Sequence, residues 1–186
     1  MSNKVKIVMV GPPECGKTTL TNFLSESGEV GSGEYRPTKG CRILEFEMPN
    51  VTYNNTAASV EVELWDVSGD RTYETCWPVI QRGAQGVIFV YSPGRDEHAR
   101  VLDNLYTHFA EQQGVSEAQC VVFCHYKPGA KGKGAKLSTS FNKISKIDTH
   151  LDDDSGSVKR DFNDFIASVM GHMSDVVERQ ENFILQ

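Results

Sequence analysis

The sequence predicts an α/β fold built on a mostly parallel sheet. Short apolar runs alternate with helical patterns along the 186 residues, which is the order that a parallel sheet with connecting helices requires. Gly11–Thr18 has the G-x-x-x-x-G-K-T pattern of a phosphate-binding loop, and it lies between an apolar run and a helical pattern. The length fits a single domain, which we place at residues 4–178, followed by a short C-terminal tail at 179–186.

The first half of the chain is predicted to contain a strand, a helix and a hairpin. Val5–Val10 is an apolar run typical of a buried strand, and the helix after the loop extends to about Ser27, where a glycine follows. Arg42–Met48 and Val60–Val67 are predicted to pair as antiparallel strands. The polar stretch Pro49–Ser59 between them predicts a long hairpin tip.

The second half of the chain is predicted to alternate strands with helices. Apolar runs predict strands, and apolar residues at helical spacing predict helices. The strands are Gly86–Tyr91, Gln119–His125 and Lys143–Thr149, and the helices are Asp96–Gln113 and Val158–Glu178. Lys127–Ser140 is rich in Gly, Lys and Ser and is predicted to be a flexible loop.

Charge and composition argue against several classes of protein. The net charge of −6 argues against a nucleic-acid partner, because such proteins usually carry a basic face. The five cysteines are odd in number and their spacing fits no zinc module, which predicts a reduced, cytoplasmic protein. No run reaches the roughly eighteen apolar residues of a membrane span. Neither end carries a lipidation motif, so we expect no direct membrane anchor.

The phosphate loop predicts a polyphosphate site. Backbone N–H groups at a strand-to-helix turn wrap phosphates, and the helix N-terminus adds positive potential. Lys17 is expected to reach the β- and γ-phosphates, and the Thr18 hydroxyl is expected to bind Mg²⁺. The residues predicted to bind nucleotide here are Gly11, Glu14, Cys15, Gly16, Lys17, Thr18 and Thr19. The alternative is a chance match in a glycine-containing turn.

Two further signals narrow the class of nucleotide-binding protein. Asp66-x-x-Gly69 ends an apolar run, so Asp66 can hold Mg²⁺ through water and the Gly69 N–H can meet the γ-phosphate. Thr38 lies between this motif and the phosphate loop, and it can complete the Mg²⁺ shell only when the γ-phosphate is present. The expected metal ligands are therefore Thr18, Thr38 and Asp66. Taken alone, the D-x-x-G pattern also fits an ordinary turn at the end of a strand.

With these motifs in place, the sequence resembles the Ras-like small GTPases, and Gln81–Tyr91 is similar to the segment that follows switch II in the Rab branch. Within that branch it resembles the Rab-like protein five family of the intraflagellar transport B complex. The segments behind this resemblance are Arg42–Glu47, Glu63–Asp66, Cys76–Pro78 and His125–Gly129. The resemblance extends from Lys4 to Glu178.

The resemblance implies a Ras-like P-loop fold, with a six-stranded, mostly parallel sheet, one antiparallel strand and helices on both faces. It implies GTP or GDP and Mg²⁺ as cofactors, with Tyr35 and Lys127 as further nucleotide-binding residues. The implied partners are coiled-coil subunits of the intraflagellar transport B core, and the implied location is the cilium or flagellum and the basal body. Trp77 and Pro78 are expected on the docking surface, although Trp77 fits a packed position equally well.

Three departures limit what the resemblance implies. Asp70 stands where active relatives usually have a glutamine that orients the attacking water, so we expect very slow hydrolysis and name no catalytic residue. The guanine-binding N-K-x-D motif is absent, because His125–Pro128 follows the predicted strand; guanine preference is therefore open, and ATP is an alternative. Pro12 and Pro13 each remove an N–H from the phosphate loop, which predicts weaker binding.

Three functions fit the sequence. The favoured hypothesis is a nucleotide-binding switch or scaffold subunit in the assembly of the cilium or flagellum, with a nucleotide-binding module that lacks guanine specificity as its variant. The second is an efficient GTPase enzyme, against which Asp70 argues. The third is a nucleotide kinase; such enzymes usually have arginine-rich lid segments, whereas Lys127–Ser140 contains no arginine.

Overall fold

Six strands form one mixed sheet in the structure, a computed structural model that describes residues 3–27, 36–130 and 132–184. The strands are β1 (Lys4–Val10), β2 (Cys41–Tyr53), β3 (Thr56–Val67), β4 (Gly86–Tyr91), β5 (Cys120–Tyr126) and β6 (Ser145–His150). Their order across the sheet is β2-β3-β1-β4-β5-β6. Among these strands β2 and β3 pair antiparallel and the other neighbours pair parallel, so the predicted sheet is confirmed.

Helices cover both faces of this sheet. They are α1 (Lys17–Leu24), α2 (Trp77–Gln81), α3 (Glu97–Phe109) and α4 (Ser155–Ile184), with 3₁₀ turns at Arg71–Cys76, Glu111–Gln113, Glu117–Gln119 and Thr139–Phe141. Side chains alternate along β1, so Ile7 and Met9 pack with α1 and α4, while Val8 and Val10 pack with α2 and α3. All six residues of β4 are buried. The parallel strands end at one edge, which is where open α/β sheets bind ligands.

The β2–β3 hairpin is longer than predicted, and its tip is short. The paired strands continue to Tyr53 and resume at Thr56, so the predicted long tip at Pro49–Ser59 is wrong. Asn54 and Asn55 turn the chain with φ angles of 47° and 60°. Asparagine tolerates this left-handed region better than most residues do, which allows two residues to close the hairpin.

Three helices also differ from the prediction in their bounds. α1 ends at Leu24, α3 ends at Phe109 and not at Gln113, and α4 begins at Ser155 and continues to Ile184, past the predicted domain end at residue 178. The Asp154 carboxylate accepts a hydrogen bond from the Ser157 N–H at 3.0 Å, which caps the start of α4.

The segment that joins β5 to β6 contacts the rest of the protein through residues in its second half. Leu137 is buried, and the Ser138 hydroxyl donates to the Asp103 carboxylate of α3 at 2.5 Å. Within the described parts of the chain, no helix has the length and hydropathy of a membrane span.

Candidate nucleotide-binding site

The phosphate loop connects β1 to α1 at the carboxyl edge of the sheet. Gly16 has a φ of 94° at the start of α1, a conformation that glycine adopts without strain, and as the N-cap residue it makes no side-chain hydrogen bond to the helix. The first N–H groups of a helix have no partner within it, so those of Lys17, Thr18 and Thr19 are available to a ligand. A Cβ atom on Gly11 would lie 2.1 Å from a carbonyl oxygen of β4, so the loop needs glycine there.

Lys17 bends back over its own loop. It is buried, and its Nζ atom donates to the carbonyl oxygens of Gly11 at 3.0 Å and Pro12 at 2.8 Å. The third neighbour is the buried Cys15 thiol, whose Sγ atom is 3.8 Å away. An ammonium group has three donors, so a phosphate oxygen could replace the weak sulfur contact while the two carbonyl contacts remain. This geometry suits the predicted role of Lys17.

Gly69 lies directly against the phosphate loop. A Cβ atom at this position would be 2.4 Å from the Pro13 nitrogen and 2.6 Å from the Pro12 carbonyl carbon, so no larger residue fits without movement. The end of β3 is thereby brought to the loop, as the predicted role at the γ-phosphate requires. The two prolines offer no N–H at this contact. Glu14 has an exposed side chain and a φ of 59°, so a backbone N–H is what it can contribute.

The three predicted metal ligands converge at one point. The Thr18 hydroxyl donates to Asp66 Oδ2 at 2.7 Å, and the Thr38 hydroxyl lies 2.9 Å from that of Thr18 and 3.3 Å from the same carboxylate oxygen. The three residues come from α1, from the segment before β2 and from the end of β3. The oxygens are therefore close enough to share one small cation.

The ligand chemistry fits Mg²⁺. Asp66 is fully buried, and its Oδ1 atom has no hydrogen-bond partner among the described residues, so it could accept from a metal-bound water. Burial raises the pKa of this carboxyl, and the hydrogen bond from Thr18 opposes that rise. Two hydroxyls and a carboxylate form an all-oxygen set, which is what Mg²⁺ prefers. The described residues contain no cluster of three or more His, Cys, Asp or Glu side chains suited to a metal.

The Asp70 carboxylate is held by a hydrogen bond within its own turn. Its Oδ1 atom accepts a hydrogen bond from the Thr72 N–H at 2.9 Å and caps the 3₁₀ turn that starts at Arg71. The side chain also lacks the amide donor that would orient an attacking water. The structure therefore gives Asp70 a local role at the start of this turn.

His125 occupies the place where the guanine motif would begin. Its Nδ1 atom lies 3.1 Å from the Thr149 hydroxyl, and a Cβ atom on Gly16 would be 2.3 Å from its Cδ2 atom. The ring therefore packs on the phosphate loop and links it to the end of β6. Burial and the nearby Lys127 cation lower the pKa of His125 to about 4, so the ring is neutral at pH 7. The sequence analysis used His125 as part of the family resemblance and as a departure from the guanine motif, and gave it no role at the phosphate loop; its contact with Thr149 follows from strand register, which the local sequence does not show.

Tyr126 and His150 stack beside this histidine. Their ring centroids are 4.4 Å apart with an interplanar angle of 20°, at the ends of the adjacent strands β5 and β6. Lys127 follows with an exposed side chain. Tyr35, the remaining predicted nucleotide-binding residue, lies outside the described residues.

Lowering the pH from 6.5 to 4 is expected to destabilise the protein through His125 by up to about 3 kcal/mol. The unfolded chain takes up a proton near pH 6.5, whereas the folded chain takes it up only near pH 4, so acid favours the unfolded state. Well above pH 6.5 the His125 ring is neutral in both the folded and the unfolded state, so this contribution to the pH dependence is absent. Urea unfolding across this range should show a flatter pH dependence for His125→Asn.

His172→Asn is the control for this experiment, because it removes a histidine of α4 that is not among the charges acting on His125. The pH profile should flatten more in His125→Asn than in this control. A profile of His125→Asn that matches the wild type would contradict the assignment of the effect to His125.

Comparison with known proteins decides the family. The model of the family described as Ras of Complex, Roc, domain of DAPkinase matches residues 6–127. The intraflagellar transport protein 22 homolog of Danio rerio is 40% identical over 184 residues, which cover 98% of each chain. The homolog of Homo sapiens is 39% identical with the same coverage. The chain belongs to the intraflagellar transport protein 22 family.

A solved structure of a member of the intraflagellar transport protein 22 family has the same fold. The T. brucei IFT22/74/81 GTP-bound crystal structure matches with a TM-score of 0.74 at 27% identity, covering 93% of this chain and 98% of the other. The predicted Ras-like fold and the resemblance to the Rab-like protein five family are thereby confirmed. As a member of the intraflagellar transport protein 22 family, the chain is a Rab-like nucleotide-binding protein of intraflagellar transport.

Proposed function

We propose that this chain binds GTP and GDP with Mg²⁺ and works as a switch or scaffold subunit of the intraflagellar transport B complex. The observation that carries the proposal is the contact of Thr38 with Thr18 and Asp66, at 2.9 and 3.3 Å. It joins the segment before β2 to the phosphate loop through residues that could share one cation. A bound Mg²⁺ would neutralise phosphate charge, and loss of the γ-phosphate would free Thr38 to move away.

Guanine as the base is supported by the T. brucei relative, which is GTP-bound. The N-K-x-D aspartate is absent from this chain, so any contact to the base must come from other groups. The test is to purify the protein, denature it and identify the released nucleotide by chromatography. GTP or GDP is expected, whereas ATP or no nucleotide would contradict the guanine form of the proposal.

A docking surface for coiled-coil partners is supported by two exposed apolar residues on the segments that follow the candidate site in the chain. Ile43 on β2 is 49% exposed and Val79 on α2 is 72% exposed, and they follow Thr38 and Gly69 in the chain. The T. brucei relative is found in a complex with IFT74 and IFT81. We propose that these residues contact the corresponding subunits, in the cytoplasm, at the basal body and in the cilium or flagellum.

Trp77 belongs to the core and not to this surface. It is 7% exposed, and its ring packs edge-on against Phe109 and His108 at centroid distances of 5.2 and 5.1 Å. The sequence allowed Trp77 to lie either on the docking surface or in a packed position, and in the structure it lies in the packed position. Pro78 is exposed beside Val79 and stays part of the proposed surface.

Hydrolysis of GTP is expected to be no faster than the intrinsic Ras rate, on the order of 10⁻⁴ s⁻¹. Asp70 caps its own turn and cannot donate to the attacking water. Asp70→Gln is expected to raise a single-turnover rate by about tenfold, the value of one well-placed hydrogen bond. Asp70→Ala removes the carboxylate without adding an amide and serves as the matched control. A wild-type rate well above the Ras value would favour the efficient GTPase instead.

A further inference from the structure

Arg42 brings a fixed cation to the candidate metal site. It lies on β2 directly opposite Asp66 of β3 in the antiparallel register. Its Nη2 atom is 3.8 Å from Asp66 Oδ2 and donates a hydrogen bond to Asn22 Oδ1 of α1. The same Asp66 oxygen accepts the hydroxyls of Thr18 and Thr38. One carboxylate oxygen therefore faces both the predicted metal ligands and a guanidinium.

The guanidinium is fixed in this position from three elements. Arg42 belongs to β2, its hydrogen bond reaches α1, and its ion pair reaches the end of β3. Its side chain is 33% exposed and that of Asp66 is fully buried. A guanidinium does not lose its proton in proteins, so this charge persists at every physiological pH. Partial burial makes its interaction with nearby charges stronger than it would be in water.

A cation in this position lowers the affinity of the site for a divalent metal ion. The affinity of an oxygen site for such an ion depends on the number of charged ligands. Among the predicted metal ligands only Asp66 is a carboxylate. The positive charge of Arg42 already offsets the negative charge of Asp66. When no metal is bound, the guanidinium remains beside Asp66 and weakens its repulsion of phosphate oxygens.

We propose that Arg42 takes over part of the charge-neutralising role of Mg²⁺, so that nucleotide binding by this chain depends only weakly on the metal. The inference rests on the proposed function and deepens it, because it concerns how the same site retains its nucleotide. Arg42 is a positioning residue, since it acts through Asp66. The rate of nucleotide release from this chain is then only weakly sensitive to the Mg²⁺ concentration.

The test is the release rate of the fluorescent analogue mant-GDP, with Mg²⁺ and with excess EDTA. In the wild type, EDTA is expected to accelerate release by less than about tenfold. Arg42→Gln keeps an amide that can donate to Asn22 but removes the charge, so EDTA should accelerate its release by about 100-fold or more. The Mg²⁺ concentration that slows release by half should fall by about tenfold in this variant.

The matched control is Arg71→Gln. Arg71 is an exposed arginine on the 3₁₀ turn after β3 and pairs with Glu74 at 2.5 Å. This variant should release mant-GDP with the wild-type dependence on Mg²⁺. Asn22→Ala is a second test that leaves Arg42 in place: it removes the α1 anchor of the guanidinium and should shift the metal dependence in the same direction as Arg42→Gln.

Two results would overturn the inference alone. One is wild-type release that EDTA accelerates by about 100-fold, a result that needs no variant. The other is an Arg42→Gln protein whose Mg²⁺ dependence equals that of the wild type, even if its melting temperature is lower, because a purely structural Arg42 predicts that pattern. If mant-GDP fails to bind with or without Mg²⁺, the proposed function itself is contradicted and the inference falls with it.

Discussion

Lys17→Ala is expected to lower the affinity for GTP and GDP by about 100-fold or more. Charge-assisted hydrogen bonds contribute about 1.5–3 kcal/mol each, and each 1.4 kcal/mol is a factor of about ten in affinity. Lys17 is the buried ammonium group at the centre of the phosphate loop, where its donors converge on the loop carbonyls. Its loss removes both the cation for the phosphates and a support for the loop. Isothermal titration with GTP or GDP measures the change.

Lys146→Ala is the matched control for this variant. Lys146 is an exposed lysine of β6, so its removal changes the net charge equally without touching the loop. Thermal unfolding without nucleotide separates the two effects of Lys17→Ala, because the loop carbonyls lose a donor as well. A folded Lys17→Ala protein that binds GTP as tightly as the wild type would contradict the assignment of this loop as the phosphate site.

The proximity of the phosphate loop to the predicted metal ligands could be anticipated because the motifs involved are local in the sequence. Gly16, Lys17 and Thr18 belong to one contiguous motif whose spacing follows from a strand-to-helix turn. Asp66 could be placed near them because it ends a strand, and parallel neighbours such as β1 and β3 end at the same edge of a sheet. Patterns that are local in the sequence were therefore sufficient to predict the fold and to place Asp66 beside the phosphate loop.

Arg42 and His125 could not be assigned roles from the sequence because their contacts depend on strand register. Arg42 meets Asp66 because the two residues pair across β2 and β3, and His125 meets Thr149 because they pair across β5 and β6. Register is set by the whole hydrophobic pattern and the turns, and not by the residues at the contact. A polar or charged residue in one strand gives no sign of which partner the next strand will present.

The hairpin tip was missed for a related reason. Polar residues on a solvent-facing strand have the composition of a loop, so Pro49–Ser59 suggested a long tip. The tip residues are Asn54 and Asn55, whose left-handed backbone lets two residues close the turn. Asparagine is common in both loops and tight turns, so composition alone could not distinguish these cases.

Val79→Asp is expected to weaken binding to the IFT74 and IFT81 subunits by about 100-fold, while nucleotide retention stays unchanged. Val79 is 72% exposed on α2, so an aspartate there is well solvated in the free protein and should leave the fold intact. In a complex the same carboxylate would be buried without a partner, which costs about 3 kcal/mol or more. Ile43→Asp should act in the same direction, since Ile43 is also exposed on the proposed surface.

Phe183→Asp is the control that makes this prediction specific. Phe183 is 83% exposed near the end of α4, so it offers as much apolar surface as Val79 but lies far along the chain from the nucleotide site. Size-exclusion chromatography and surface plasmon resonance with the partner subunits measure both variants. If binding survives Val79→Asp and is lost in Phe183→Asp, the partner docks on α4. If binding is lost only in Val79→Asp, the partner docks on the segment after Gly69. The terminal phosphate of the nucleotide is expected to control the position of this segment.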